Sequence, residues 1–183
     1  MNIADNLPVK FEAEKCGAFL RHWLALRKTD LVPHCRTFLD GPPFALMPNV
    51  IIQEVTSLGL RVRFFGTDMV ERWRRDITGS LMGAGFPPAA VERLCLNAAQ
   101  IVSYPCGMHQ IDEVASTMGR NVKFEAIVLP LAVDEGLAKR VVAYSHMLDH
   151  LRSEEGNDHF LHTSLNEWVD LGAGMPALPP FGQ

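Results

Sequence analysis

From Cys16 the apolar residues recur at Phe19, Leu20, Trp23 and Leu24, while Glu14, Lys15, Arg21 and Lys28 take the opposite side. Steps of three and four predict an amphipathic helix. Thr29-Asp30 and Pro33 end it. Such a helix must cover something apolar, either its own sheet or a partner subunit. Residues 33–48 hold Pro33, Gly41, Pro42, Pro43 and Pro48 and read as irregular, with a short helix from Pro43 through Met47. The period then changes. Val50 to Val55 is rich in β-branched residues, Ser57-Leu58-Gly59 supplies a turn, and Leu60 to Phe65 alternates. Leu60, Val62 and Phe64 share one face and Arg61, Arg63 and Phe65 the other, which predicts a β-hairpin.

Gly66-Thr67-Asp68 closes the second strand, and Thr67 or Asp68 is placed to cap a short helix through Arg74. Asp76-Ile77-Thr78-Gly79 is a second turn-and-cap cluster, and Met82 to Pro87 is loop. Pro88 opens a helix with Val91, Leu94, Cys95, Ala98 and Val102 on one face. Pro105 and Gly107 break it. Met108 to Thr117, Val122 to Leu131 and Lys139 to Ser145 then read as three strands joined by turns. An early hairpin, short helices and three later strands predict an α+β fold around one antiparallel, five-stranded sheet, with short helices on one face and an N-terminal helix. Three segments follow: helix and linker over 1–44, the domain over 45–150, and a C-terminal extension over 151–183. The extension is polar at 152–158 and Gly/Pro-rich at 172–182, the pattern of an extended arm.

Composition narrows the role. The chain has 183 residues, net charge −4 and four cysteines. With no basic surplus, binding to nucleic acid or to an anionic membrane is disfavoured. No signal peptide and no bilayer-spanning run is visible, so a soluble, cytoplasmic protein without disulfides is expected. Cys16, Cys35, Cys95 and Cys106 have no metal-site spacing.

Several segments carry a more specific signal. Arg63-Phe64-Phe65-Gly66-Thr67, Asp76-Ile77-Thr78-Gly79, Glu125-Ala126-Ile127-Val128-Leu129-Pro130-Leu131 and the tail Trp168-Val169-Asp170-Leu171-Gly172-Ala173-Gly174-Met175-Pro176 resemble a family of small bacterial single-domain PAS proteins. The resemblance covers about residues 45–148, and the helix with Trp23 also fits it. Two departures stand out. The family usually has glycine where this chain has Arg74, and its upstream Pro-x-Arg-x-Asp pattern survives only as Pro33, Arg36 and Asp40. By residue type, Gly66 and Gly79 read as sites of positive φ or close backbone packing, and Thr67, Asp76 and Thr78 as caps.

PAS membership implies a sensing or docking role rather than catalysis. If the sheet curls around the short helices, the expected ligand-facing residues are Val62, Phe64, Phe124, Ala126, Val142 and Tyr144, with Trp73 from the crossover helix; the plainer reading is that they pack as core. Haem or flavin is an open cofactor choice. The 88–102 helix lacks histidine, which leaves His109 or His34 for haem. The cysteines lack the setting for flavin photochemistry. His146 with His150, and His159 with His162, have metal-ligand spacing on a helix, but no third ligand completes either set. Gly-x-Ser-x-Gly, P-loop and dinucleotide fingerprints are absent.

The expected function is therefore a non-enzymatic sensory or regulatory protein that binds a small ligand or a protein partner, acts in trans and dimerises through the 12–28 helix. One alternative is a ligand-free interaction scaffold with a filled core. Another is a small cone-shaped isomerase or dehydratase. The last requires a histidine–carboxylate couple inside the hollow, for which His146 and Asp149 are the near neighbours in sequence.

Overall fold

A computed structural model describes residues 7–83, 86–115, 121–133, 138–148 and 159–181. Helix α1 (Glu14–Ala25) precedes a short α2 (Cys35–Asp40) and a 3-10 turn (Met47–Asn49). Strands β1 (Val50–Thr56) and β2 (Gly59–Phe65) form the hairpin. Helices α3 (Thr67–Trp73) and α4 (Pro88–Ser103) follow. Strands β3 (Gly107–Ala115), β4 (Asn121–Ala132), β5 (Ala138–Met147) and β6 (His159–Val169) complete the chain. Among the described residues the strands pair antiparallel, in the order β2-β1-β5-β4-β3-β6.

The α+β class is as expected, but the sheet has six strands rather than five. The additional strand lies in the stretch read as extension, and it pairs along β3 from Gly107↔Val169 to Ala115↔His159. Register shifts at Ile111/Asp112 and Glu113/Val114 break its alternation, which is why a period of two was hard to see. The expected PAS-like segment at 45–150 thus gains a strand after it and a packed helix before it. Pro130 fits inside β4 because pairing with β3 has already ended at Val128.

The sheet separates two cores. On its outer face, Cys16, Phe19, Leu20 and Trp23 of α1 pack against Val50, Ile52, Ile127, Leu129, Leu131, Val142 and Tyr144. Each fully buried large side chain of this kind contributes about 1.5–3 kcal/mol. Trp23 also donates its indole N–H to the Pro130 carbonyl at 2.9 Å. The α1 stripe expected to meet a second subunit is therefore spent on the protein's own sheet: Trp23 is fully buried and Leu24 packs against the same core.

On the inner face, Leu60, Met108, Val128 and Val141 meet Ala98 and Ile101 of α4. Ile51, Val62 and Phe65 meet Met69 of α3 and Ile77.

The crossover segment explains its own residues. Gly66 lies at ordinary negative φ and is the α3 N-cap; it is small because the chain at Met47-Pro48 runs directly against it. Neither Thr67 nor Asp68 caps α3 through its side chain, in contrast to the expectation. Asp68 instead accepts the Asn49 amide at 2.6 Å. Asp76 accepts the Thr78 amide at 2.9 Å, and Gly79, at φ 84, returns its N–H to the Val62 carbonyl. That turn sets Ile77 into the inner core.

Arg74 ends α3 in the left-handed region at φ 53 and is exposed. Its side chain fills no pocket, and its backbone takes the conformation that favours glycine. Arg74→Gly is expected to raise unfolding stability by about 0.5–1 kcal/mol, read as a higher urea midpoint. A lower midpoint would show that the arginine side chain outweighs its backbone cost.

Candidate functional site

The inner face becomes polar toward β3 and β6. Asp112 accepts the Thr163 hydroxyl at 2.8 Å and the Gln110 amide at 2.7 Å. Arg93 of α4 donates to the Thr163 hydroxyl at 2.9 Å. Beside this set, the Arg72 guanidinium lies 4.5 Å above the Phe124 ring, a cation–π contact. The same guanidinium reaches the Asn49 side-chain oxygen at 3.1 Å. Trp73 packs edge-on to Phe65 and tilted against Phe86. The arrangement offers an apolar floor, a donor set and one carboxylate.

Burial pushes the Asp112 carboxyl above the ordinary carboxylate value, opposed by the Thr163 hydrogen bond, the Arg93 charge and the Gln110 amide. A raised folded-state value favours the protonated form. Its contribution to stability is complete below the unfolded value and is lost as pH rises through the folded one. Asp112→Asn should therefore gain stability relative to the parent as pH rises from about 4 upward. Urea midpoints measured across that range check it. A difference that stays flat or shrinks with rising pH would refute the stated environment of Asp112.

The outer face holds a second constellation, which the sequence reading missed. His109 of β3 places Nε2 2.9 Å from Glu125 of β4 and Nδ1 2.9 Å from Glu167 of β6. His109 and Glu125 are 1% and 0% exposed, whereas Glu167 is 45% exposed. Phe11 closes edge-on over the imidazole at 4.8 Å. The Glu125 carboxylate also accepts the backbone N–H groups of Glu12 at 2.9 Å and Ala13 at 2.7 Å.

Ala13 is the α1 N-cap and lacks a capping side chain, so β4 supplies the cap from across the fold. The Cys16 thiol donates to the Glu125 carbonyl at 3.6 Å. Burial first, and the Glu125 charge second, push that thiol far above its ordinary value. No spacing rule joins residues 13, 109, 125 and 167. The available signal was a charged residue inside an apolar run, Glu125 between Phe124 and Ala126.

The expected ligand-facing residues divide between the two faces. Val62 lies in the inner core with Trp73 against it, and strand register puts Phe124 and Ala126 on that same face opposite Asp112 and Gln110. Phe64, Val142 and Tyr144 belong to the outer core. Bulging between Ile52 and Gln53 turns Phe64 away from the Val62 face. The seven therefore do not line one hollow. Tyr144 stacks on Phe19 at 5.3 Å, and burial lifts its hydroxyl to about 12.

The remaining candidates are also placed. His34 accepts the Arg36 amide at the start of α2. His109 has both ring nitrogens engaged by carboxylates on the outer face. His146 lies in strand β5 and His159 with His162 in strand β6, so neither pair shares a helix; His150 and Asp149 fall outside the described residues. Among the described residues, no group of three or more His, Cys, Asp or Glu is arranged to hold a metal ion. Burial likewise raises the Cys106 thiol to about 12. An open notch of about 350 Å³ lies apart from both constellations, lined by His34, Cys35, Arg36, Leu39, Asp40, Val133 and Arg140. Among the described residues, no helix is long and apolar enough to cross a membrane.

The family model of the PAS domain matches residues 12–144. The chain belongs to the PAS family. No curated protein matches it. Among solved structures it is similar to a fungal LOV-domain photoreceptor described as integrating blue light and oxidative stress. The identity is 14%, the TM-score is 0.41, and the match covers 70% of this chain and 89% of that one.

The family match takes in α1, so the helix clamped by Glu125 is part of the PAS unit, while β6 and the arm lie beyond it. Membership supports a sensory or regulatory role. In this PAS chain the polar inner set and the buried histidine couple sit on opposite faces of the same strands. The couple lies on the face covered by α1, not on the inner face.

Proposed function

We propose that this protein is a non-enzymatic sensor in which the inner face receives a small, mainly apolar molecule with one polar end. The apolar body rests on Phe124 and Ala126, and the polar end meets Gln110 and Asp112. The observation that carries this reading is the alternation of β4. Phe124 and Ala126 face the polar set, while Glu125 between them holds the first turn of α1 on the other face. A ligand that moves β4 by a fraction of an ångström bears directly on two hydrogen bonds of α1. Such a ligand shifts the protein only by its differential affinity for the two states. The released or re-seated helix then acts on a separate partner, in trans.

A second reading, a ligand-free scaffold, has an observation of its own in its favour. The inner core is already filled by Leu60, Val62, Phe65, Met69, Ile77, Ile101, Met108 and Val128. Native mass and an absorbance scan of freshly purified protein, followed by thermal-shift screening of small carboxylic acids and alcohols, separate the two. The sensor reading expects either a co-purifying mass or a compound that raises Tm in the parent and not in Asp112→Asn. A bare mass with no shifting compound would overturn it and leave the scaffold.

A further inference from the structure

The chain after β6 turns back on itself. Asp170 accepts the N–H groups of Gly172 at 2.7 Å and Gly174 at 3.2 Å, and both glycines take positive φ. The segment then crosses the seam between α4 and β6. Asn97 of α4 meets the main chain of Phe181 twice: its oxygen accepts the Phe181 N–H at 2.8 Å and its amide donates to the Phe181 carbonyl at 3.2 Å. Asn166 of β6 donates to that same carbonyl at 3.0 Å. The Trp168 indole N–H donates to the Leu178 carbonyl at 2.8 Å.

These four contacts go to backbone atoms alone. The side chains of Leu178 and Phe181 stay 72% and 40% exposed, whereas Pro180 is buried. Asn97 and Asn166 are each 2% exposed. Two nearly buried amides whose hydrogen bonds go to a passing main chain form a reader of extended backbone, not of one particular sequence. Proline at the buried position suits such a reader. It stiffens the segment and brings no N–H that would need a partner. The exposed neighbours on either side are left free to vary.

We propose that the α4–β6 seam is a peptide-binding groove occupied here by the protein's own C-terminal arm, and that its external ligand is an extended partner segment with proline at the buried position. The arm then works as a tethered competitor. Opening is favoured by a segment that restores the same backbone contacts, because bare removal would take from the nearly buried Asn97 both of its contacts with Phe181. The proposal is independent of a small molecule at the inner face. It explains why an arm with little regular structure is held at all.

The test uses the full chain, labelled with ¹⁵N, and an unlabelled synthetic peptide of residues 175–183. A short tether sets an effective concentration on the order of millimolar, so the peptide is titrated through that range. The expected result is loss of the Phe181 amide's protection from hydrogen exchange and movement of the Trp168 indole resonance as peptide is added. The same peptide N-methylated at Phe181, which lacks the donor read by Asn97, should displace at least about tenfold less well, the cost of roughly one charge-free hydrogen bond with its acceptor left buried. Asn97→Ala should free the arm without peptide. Should that variant fold poorly, Asp170→Ala removes the turn that brings the arm back, a contact the 175–183 peptide does not use, and should lower the peptide concentration needed. Unchanged Phe181 protection at saturating peptide, or equal displacement by the methylated peptide, would overturn the proposal.

Discussion

Gly66→Ala is expected to lose about 3 kcal/mol or more of folding stability, or to fail to fold. A Cβ at this position would stand closer than 3.0 Å to the carbonyl oxygens of Met47 and Pro48 and 2.6 Å from the Pro48 carbonyl carbon. All three atoms are backbone, and they belong to the 3-10 turn that leads into β1, the strand between β2 and β5. No side-chain rotation relieves the overlap. The chain would have to part where Gly66 N–H meets the Val50 carbonyl at 2.9 Å. Gly79→Ala is the informative contrast. There φ is 84 and nothing lies within 4 Å, so the cost is conformational, about 1–2 kcal/mol. Urea denaturation of both variants checks the pair. A Gly66→Ala loss below that of Gly79→Ala would contradict the close approach of the two segments.

The second large effect is at Glu125. Its side chain is fully buried, accepts two backbone hydrogen bonds from the residues that lead into α1, and lies 2.9 Å from Nε2 of His109. Glu125→Ala leaves an imidazole and two amides without their acceptor and a void beneath Phe11. Breaking one side of a buried pair costs about 3–5 kcal/mol, and the same order is expected here. Glu167→Ala touches the same histidine from a 45% exposed position and should cost about 1 kcal/mol or less. Denaturant midpoints of the two variants are the measurement. Equal losses would show that solvent reaches Glu125 as readily as Glu167. Loss of α1 docking should also expose Trp23, so its fluorescence should shift to the red in Glu125→Ala before global unfolding.

Much of the fold could be read from residue order. The i, i+3, i+4 stripe from Cys16 set α1, β-branched runs set β1 and β4, and Gly/Pro punctuation set the turns. Four features escaped for physical reasons. Strand β6 contains two register shifts, so its inward residues do not alternate, and its polar surroundings resembled an arm. The division of Val62 from Phe64 depends on a bulge opposite Ile52/Gln53, which periodicity cannot show. The stripe on α1 fits its own sheet or a second subunit equally well until coordinates choose. The His109–Glu125 couple joins strands that are adjacent in space and separated in sequence, and it has no local spacing to find. Where the sequence did point to function, it pointed through the turn residues of the crossover. Those residues place backbone: Gly66 lets the chain at Met47-Pro48 pass, and Asp76 and Gly79 set the turn that carries Ile77.

The central claim is that the inner polar set and the α1 clamp are coupled through β3 and β4. Amide hydrogen exchange at Ala13, whose N–H is held by Glu125, tests it most directly when compared between the parent and Asp112→Asn. Coupling of about 1 kcal/mol predicts exchange at Ala13 altered by about fivefold, although the substitution lies on the opposite face of the sheet. Exchange at Ala13 that stays unchanged while amides of β3 beside Asp112 respond would contradict the account.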